Sequence, residues 1–207
     1  MTSVITGDII NSRQSEDPKV WLEVLKKSLT KITENDRYWE IFRGDSFQVE
    51  IQDFYNAFKI AVLLKAAIRS IKGLDVRLAI GVGEKTGEAR TISEATGDAF
   101  IYSGERFERL KRDKVNLAIK TKNNQIDTEL NLYFKLLLLT MDTWTANSAE
   151  IVKITLENPF LSQKEIGNII GIKQNTVSER QKRANLDEII DVDKMYRQKI
   201  DQLQHPK

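Results

Sequence analysis

The stretch Leu161–Ala184 constrains the fold most, because its pattern describes two short helices joined by a tight turn. The first helix is predicted from three apolar residues at helical spacing, Ile166, Ile169 and Ile170. Gly171 then supplies the turn, and a second helix opens at Gln174 and buries Val177. This pattern is typical of a helix-turn-helix, which we place at about 161–186, and whose second helix can lie in a DNA groove. An ordinary helical hairpin with a solvated basic face is the alternative.

The second helix of this pair is the predicted DNA-contacting element. Its first turn has short polar side chains that can reach base edges or phosphates, and the rest is basic. From Lys173 to Ala184 four basic residues stand against one acid, Glu179, so four minus one gives a local net charge of +3. The predicted DNA-binding residues are Lys173, Gln174, Asn175, Thr176, Ser178, Arg180, Lys182 and Arg183.

Composition excludes several classes of site. The net charge is only +2, so affinity for nucleic acid has to come from a local patch. The chain has no cysteine and one histidine, His205, which excludes disulfides, thiolate metal sites and multi-histidine zinc sites. The N-terminus lacks the pattern of a signal peptide, and no apolar run approaches the length of a membrane span. We therefore expect a soluble, cytoplasmic protein with no membrane partner.

The N-terminal part alternates strand and helix patterns. In order they are a strand at Ser3–Thr6, a helix at Pro18–Thr33, a hairpin of Tyr38–Phe42 and Phe47–Ile51, a helix at Asp53–Ile71, a strand at Val76–Ile80, a helix at Asp98–Lys111 and a strand at Val115–Thr121. The order predicts an α+β fold, a ferredoxin-like split βαβ sheet (βαββαβ) with helices on one face.

A polar break at Lys122–Gln125 is the predicted domain boundary. It separates a sheet domain, residues 1–122, from an all-α domain, residues 123–207, that contains the helix-turn-helix. The predicted helices around that motif are Asp127–Asn147, Ser148–Glu157 and a charged tail helix, Asp187–Leu203. The first of these is apolar nearly all round, which favours burial between the domains or in a homodimer interface.

Two aspartates occupy special places in the predicted sheet. Asp8 follows the first strand and Asp45 lies at the hairpin tip, so both carboxylates can converge at one end of the sheet. With the main-chain carbonyl of Ile9 they would offer Mg²⁺ the hard oxygen ligands it prefers. The loop Ile10–Arg13 could offer N–H groups and a guanidinium to phosphates. The alternative is plain turn chemistry, with Asp8 capping the segment that follows.

Four sequence blocks, in order, extend this interpretation. They are VITGDIINSR at Val4–Arg13, FRGDSFQ at Phe42–Gln48, RLAIGVGE at Arg77–Glu84 and GDAFIYSGERFERL at Gly97–Leu110, and with the predicted helix-turn-helix they resemble the bacterial SatD family over nearly the full length. The first domain of that family is similar, more distantly, to class III nucleotide cyclases and related palm domains, in which two such aspartates bind two metal ions.

That resemblance implies functional residues. It implies Mg²⁺ at Asp8, Ile9 and Asp45, and a nucleotide near Asn11, Ser12, Arg13, Gly44 and Ser46. Cyclases also have a lysine before the hairpin Gly-Asp, and an asparagine one helical turn from an arginine. Here Trp39–Arg43 contains no lysine, and no asparagine accompanies Arg106, so cyclisation does not follow.

Two hypotheses result, and a structural role with neither activity is the third alternative. The first is a DNA-binding transcriptional regulator with a nucleotide- or metal-sensing domain. The second is a Mg²⁺-dependent nucleotidyl-cyclase-like or phosphoryl-transfer enzyme with an accessory DNA-binding domain. A homodimer is expected in either case, because helix-turn-helix proteins pair to read two half-sites and cyclase-like domains pair to complete their sites.

Overall fold

The computed structural model describes residues 1–15, 17–87 and 89–205, which form a mixed α+β structure around one five-stranded sheet. The strands are β1 (Thr2–Ile10), β2 (Trp39–Phe42), β3 (Ser46–Ile51), β4 (Asp75–Gly83) and β5 (Leu117–Lys120). Their order across the sheet is β2-β3-β1-β4-β5. Neighbouring strands are antiparallel except for β4 and β5, which are parallel.

The helices in the described residues are α1 (Pro18–Thr33), α2 (Ala57–Arg69), α3 (Asp98–Asp113), α4 (Asn124–Met141), α5 (Ala146–Glu157), α6 (Gln163–Ile170), α7 (Gln174–Arg183) and α8 (Leu186–Gln204). Helix α1 has the predicted bounds. Its start is well specified, because Asp17 accepts a hydrogen bond from the backbone N–H of Lys19 at 2.9 Å and Pro18 occupies the first helical position.

Helix α3 lies on the opposite face of the sheet from α1 and α2. On β4, Val76 and Leu78 point into the large core with α2, whereas Ala79 packs with Leu110 of α3. A Cβ atom added to Gly81 would lie 2.1 Å from the carbonyl oxygen of Ala99, so α3 rests directly on the β4 backbone. The prediction that the helices share one face is wrong, because these small residues open a second packing surface.

The boundary between the predicted helices Asp127–Asn147 and Ser148–Glu157 lies earlier in the chain than predicted. Helix α4 ends at Met141, and α5 begins after Thr145, whose hydroxyl accepts a hydrogen bond from the N–H of Ser148 at 3.2 Å. A residue of α2 also fixes the connection between α4 and α5, since the guanidinium of Arg69 donates to the carbonyl oxygen of Trp144 at 2.6 Å. A side-chain cap and a distant arginine therefore end a helix that its apolar pattern would have continued.

Helix α4 is buried on one face only. Its buried residues are Ile126, Leu130, Phe134, Leu137, Leu138 and Met141. On the other face Leu132, Leu136 and Leu139 are 54%, 56% and 74% exposed, so burial between the two parts of the chain does not cover this stripe. The homodimer interface predicted from the same residues stays a prediction.

The last helix packs against the sheet region. Tyr196 of α8 is fully buried, and its hydroxyl donates to the carbonyl oxygen of Phe54 at 2.8 Å. Burial raises the pKa of Tyr196, which keeps this hydroxyl protonated as a donor. One buried apolar cluster runs from Ile5 to Leu203 through both parts of the chain. Because the core is continuous, the two-domain division at residue 122 stays a prediction.

A buried lysine joins three elements behind the sheet. The side chain of Lys65 in α2 is fully buried, with its Nζ 2.8 Å from Asp75 of β4 and 2.7 Å from Asp142 after α4. Arg69 forms a second ion pair with Asp75 at 2.7 Å. These pairs fix α4 to the start of β4 through α2.

None of the helices within the described ranges combines the length and the apolar character that crossing a membrane requires.

Candidate functional site

The end of β1 and the β2–β3 hairpin tip meet at one end of the sheet. Asp8 is paired in register with Ser46, and the N–H of Ile9 donates to the carbonyl oxygen of Asp45 at 3.0 Å. At the tip, Arg43 and Gly44 have φ angles of 52° and 90°, and the second of these favours glycine. The antiparallel pairing of β1 with β3 therefore brings the two aspartates together.

A cavity of about 620 Å³ lies at this meeting point. It is lined by seven of the predicted metal- or nucleotide-binding residues: Asp8, Ile9, Asn11, Ser12, Arg13, Asp45 and Ser46. Gly44 is at the exposed tip and does not line it. The other lining residues are Gln14, Arg43, Arg77, Phe107 and Lys111.

Asp8 is engaged by an arginine on the neighbouring strand. Its two carboxylate oxygens accept hydrogen bonds from Nε and Nη2 of Arg77 at 2.8 and 2.6 Å, in the bidentate geometry that guanidinium and carboxylate groups favour. The two residues face each other in the β1–β4 register. Lys111 of α3 approaches the same carboxylate at 3.8 Å. Only 10% of the Asp8 side chain is exposed, so this pair forms the floor of the cavity.

The turn after β1 is fixed by its own polar groups. The hydroxyl of Ser12 donates to Oδ2 of Asp45, which ties the turn to the hairpin. Asn11 has a φ angle of 64°, a conformation that asparagine tolerates better than most residues, and its side chain donates to the carbonyl oxygen of Gly73 at 3.2 Å. The turn that carries Arg13 therefore has a defined position beside the cavity.

The charges around the cavity favour an anion. Four cationic side chains line it, Arg13, Arg43, Arg77 and Lys111, against the two carboxylates of Asp8 and Asp45, so four minus two gives +2. The carboxylate of Asp8, one of the two predicted to bind Mg²⁺, has both oxygens on the guanidinium of Arg77. As arranged, these residues do not fit a magnesium ion. Among the described residues no group of three or more His, Cys, Asp or Glu side chains could hold a metal ion. The predicted site has only two carboxylates, so that finding does not bear on it.

Sequence reasoning missed Arg43, Arg77 and Lys111 as cavity residues. The alternation of β4 did carry a signal, because it sets Arg77 on the face opposite Leu78. What it could not supply was the register that sets Arg77 against Asp8, or the packing of α3 that brings in Lys111.

A second candidate surface is the pair α6 and α7. Helix α6 begins with a capping box, in which the Ser162 hydroxyl accepts from the N–H of Glu165 and the Glu165 carboxylate accepts from the N–H of Ser162. Gly171 ends it with a φ angle of 70°, and Val177 of α7 is fully buried. Ile169 is 56% exposed, because Ile166 and Gly167 occupy the buried face of this short helix.

Most of the residues predicted to contact DNA lie on the outer face of α7. Those that are exposed are Lys173, Gln174, Asn175, Ser178, Lys182 and Arg183. Their positions repeat at helical spacing, so the α7 members share one side of the helix. Lys173, at the N-cap position of α7, makes no side-chain cap, although the N–H of Thr176 donates to the side-chain oxygen of Asn175 at 2.9 Å. The N–H groups of Gln174 and Asn175 remain as donors at this N-terminus.

Thr176 and Arg180 face partly inward. The guanidinium of Arg180 is 3.4 Å from Glu150 of α5, and only 16% of its side chain is exposed. Nearby, the amide of Gln181 donates to the hydroxyl of Thr155 at 3.0 Å. This side of α7 positions the helix on α5, and the opposite side remains open.

The C-terminal end of α7 is connected to the sheet region. The indole N–H of Trp144 donates to the carbonyl oxygen of Ala184 at 3.1 Å, and the carbonyl of Trp144 accepts from Arg69 of α2. Arg69 in turn pairs with Asp75 at the start of β4. The C-terminal end of α7 is therefore linked to α2 through Trp144.

Replacing Ser162 with alanine is expected to lower the free energy of unfolding by about 1 kcal/mol at neutral pH, because the capping box is lost. The hydrogen bonds from Ser162 lower the pKa of Glu165. A carboxyl pKa that is lowered by folding stabilises the fold above the unfolded value of 4.5, and this contribution is lost as the pH falls through the lower folded value. Thermal unfolding should show the gap between wild type and variant narrowing below that pH; a gap that does not change with pH would contradict the capping role.

Comparison with known proteins gives one match. The model of the SatD family matches residues 3–198. No curated protein and no solved structure matches the chain significantly.

Proposed function

The chain belongs to the SatD family, and we propose that it is a DNA-binding regulatory protein whose sheet region holds a ligand-binding cavity. The observation that carries the proposal is the outer face of α7, where three cationic side chains, Lys173, Lys182 and Arg183, stand against the single acid Glu179. Exposed amides and a hydroxyl lie between them, at Gln174, Asn175 and Ser178. Cations that contact phosphates, combined with short polar groups that reach base edges, are what a recognition helix needs.

The support of α7 also favours this function. Helices α5 and α6 hold its inner side, with Val177 buried and Arg180 paired to Glu150, as expected for a helix-turn-helix presented on a rigid base. The N-terminus of α7 would accept a backbone phosphate, because the N–H groups of Gln174 and Asn175 and the helix dipole both favour negative charge. A cytoplasmic location, where the protein meets DNA, is part of the proposal.

The strand order supports a palm-like sheet. In β2-β3-β1-β4 every neighbouring pair is antiparallel, which is the order of the ferredoxin-like split βαβ arrangement, and β5 extends it as a parallel edge strand. We do not propose the alternative of a Mg²⁺-dependent enzyme, since Arg77 takes both oxygens of Asp8. A homodimer that reads two half-sites remains part of the proposal, with the exposed leucines of α4 in support.

Selection of DNA fragments from a random pool tests the proposal. Wild type should enrich a specific sequence, and the double variant Lys182→Gln/Arg183→Gln should bind the selected fragment at least about tenfold more weakly, because each charged contact contributes about 1.5–3 kcal/mol. Both side chains are exposed, so we expect the variant to retain the wild-type melting temperature.

The matched control is Arg109→Gln/Arg112→Gln, which removes two positive charges from exposed positions on α3. It should bind the fragment like wild type. If no sequence is enriched, or if both double variants lose affinity equally, then α7 is not a recognition helix.

A further inference from the structure

The cavity at the end of the sheet contains cations without partners. Among the described residues, Arg13 and Arg43 have neither an ion pair nor a side-chain hydrogen bond, although both line the cavity. Lys111, the third exposed cation, has only a contact of 3.8 Å with a carboxylate that Arg77 already holds. Like charges gathered at one concave surface repel one another, so this arrangement favours a bound anion.

The acids in the cavity do not cancel this charge. Asp8 is neutralised by the bidentate contact with Arg77, and one oxygen of Asp45 accepts the hydroxyl of Ser12. Arg13, Arg43 and Lys111 come from three separate elements, the turn after β1, the hairpin tip and helix α3. Cations that converge from three directions suit a phosphate group, whose oxygens accept several charged hydrogen bonds at once.

A neighbouring cavity gives room for the rest of a ligand. It has a volume of about 420 Å³ and shares Arg43, Ser46, Arg77, Phe107 and Lys111 with the first. Its additional lining residues are Thr6, Phe42, Gln48, Gly104 and Glu108. Its two phenylalanines, beside amide, hydroxyl and carboxylate groups, suit the non-phosphate part of a small organic ligand that has polar groups of its own.

We infer that these joined cavities bind a phosphorylated small molecule, with its phosphate held directly by Arg13, Arg43 and Lys111 and with no bridging metal ion. The Asp8–Arg77 pair forms the floor under the phosphate, so Asp8 positions an arginine and is not a metal ligand. The inference deepens the ligand-binding part of the proposed function and rests on it.

Calorimetric titration of the full chain in a phosphate-free buffer with EDTA tests the inference. The probes are inorganic phosphate, 5′-AMP and adenosine. Phosphate should bind, 5′-AMP should bind more tightly because it also fills the second cavity, and adenosine should bind at least about tenfold more weakly than 5′-AMP, since it lacks the charged contacts. Repeating the titration with Mg²⁺ in place of EDTA should leave the affinity of 5′-AMP unchanged.

Variants assign the contacts. Arg13→Gln and Arg43→Gln should each weaken the binding of phosphate and 5′-AMP about tenfold. Both side chains are exposed, so the melting temperatures should match wild type. Arg109→Gln, which removes a charge from α3 outside both cavities, and Lys182→Gln/Arg183→Gln on α7 should bind both probes like wild type.

Three results would overturn the inference: no binding of either phosphate probe, binding that requires Mg²⁺, or binding that survives the loss of Arg43 and Arg13. No DNA is present in this titration, and the DNA selection contains neither inorganic phosphate nor 5′-AMP. A failure here with DNA binding intact would therefore remove the cavity assignment alone, and the reverse result would remove only the role of α7.

Discussion

Replacing Lys65 with methionine is expected to lower the free energy of unfolding by about 3–5 kcal/mol, the usual cost of removing one partner from a buried ion pair. Methionine fills most of the same space, so the loss is mainly electrostatic. Asp142 would lose the cation that lies 2.7 Å away, and Asp75 would keep Arg69 as its one cationic partner among the described residues. Because Lys65 joins α2, β4 and the end of α4, its loss should also loosen the contact between the sheet and the C-terminal helices.

Urea-induced unfolding, followed by circular dichroism, measures this change. The matched control is Lys72→Met, at an exposed position shortly after α2 that makes no ion pair within the described residues, and its unfolding midpoint should stay close to that of wild type. Equal midpoints for the two variants would mean that Lys65 contributes no more than a surface lysine.

Replacing Gly81 with alanine is expected to lower the free energy of unfolding by about 3 kcal/mol, at the upper end of the cost of overpacking. The added Cβ would lie 2.1 Å from the carbonyl oxygen of Ala99 and 2.4 Å from the backbone nitrogen of Ser103. Both are backbone atoms of α3, so relief requires the helix to move away from β4. Helix α3 supplies Lys111 and Phe107 to the cavity, and the variant should therefore also bind 5′-AMP more weakly.

Gly104→Ala is the matched control. Gly104 lies within α3, and a Cβ there would meet no atom within 4 Å. Alanine is favoured over glycine inside a helix, so this variant should gain about 0.5–1 kcal/mol. The two substitutions make the same chemical change with opposite expected signs. A Gly81→Ala protein as stable as wild type would show that α3 is not seated on β4 as described.

The sequence predicted those helices and strands that are defined by residues close together in the chain. Helix α1 has the predicted bounds because Asp17 and Pro18 define its start, and the hairpin strands were placed by the alternation of Phe47, Val49 and Ile51. The predicted end of α4 at Asn147 was wrong, because a cap at Thr145 and an arginine from α2 fix the connection to α5. Neither interaction is visible in an apolar periodicity.

At the candidate cavity, too, some features could be predicted from sequence and others depend on contacts between distant residues. That Asp8 and Asp45 meet at one end of the sheet follows from sequence, since the antiparallel pairing of a first strand with the next hairpin brings their ends together. The prediction that Asp8 follows the first strand is wrong, because β1 continues to Ile10 and Asp8 lies inside it. The pairing of Asp8 with Arg77 could not be predicted from sequence, because a shift of one residue in the β1–β4 register would turn Arg77 to the other face of the sheet. That single pairing changes the chemistry expected at the site from a cation to an anion.

The salt dependence of DNA binding tests the central claim most directly. The affinity for the selected fragment is measured by fluorescence anisotropy between 50 and 200 mM salt, a range in which phosphate contacts govern the change. Each phosphate contact contributes about 0.9 to the slope of log K against log salt, so Lys182→Gln/Arg183→Gln should flatten the slope by about 1.8 if both residues contact phosphates. Arg109→Gln/Arg112→Gln should leave the slope at the wild-type value. An unchanged slope in the α7 variant would contradict the account, because the exposed cations of α7 would then not be in contact with DNA.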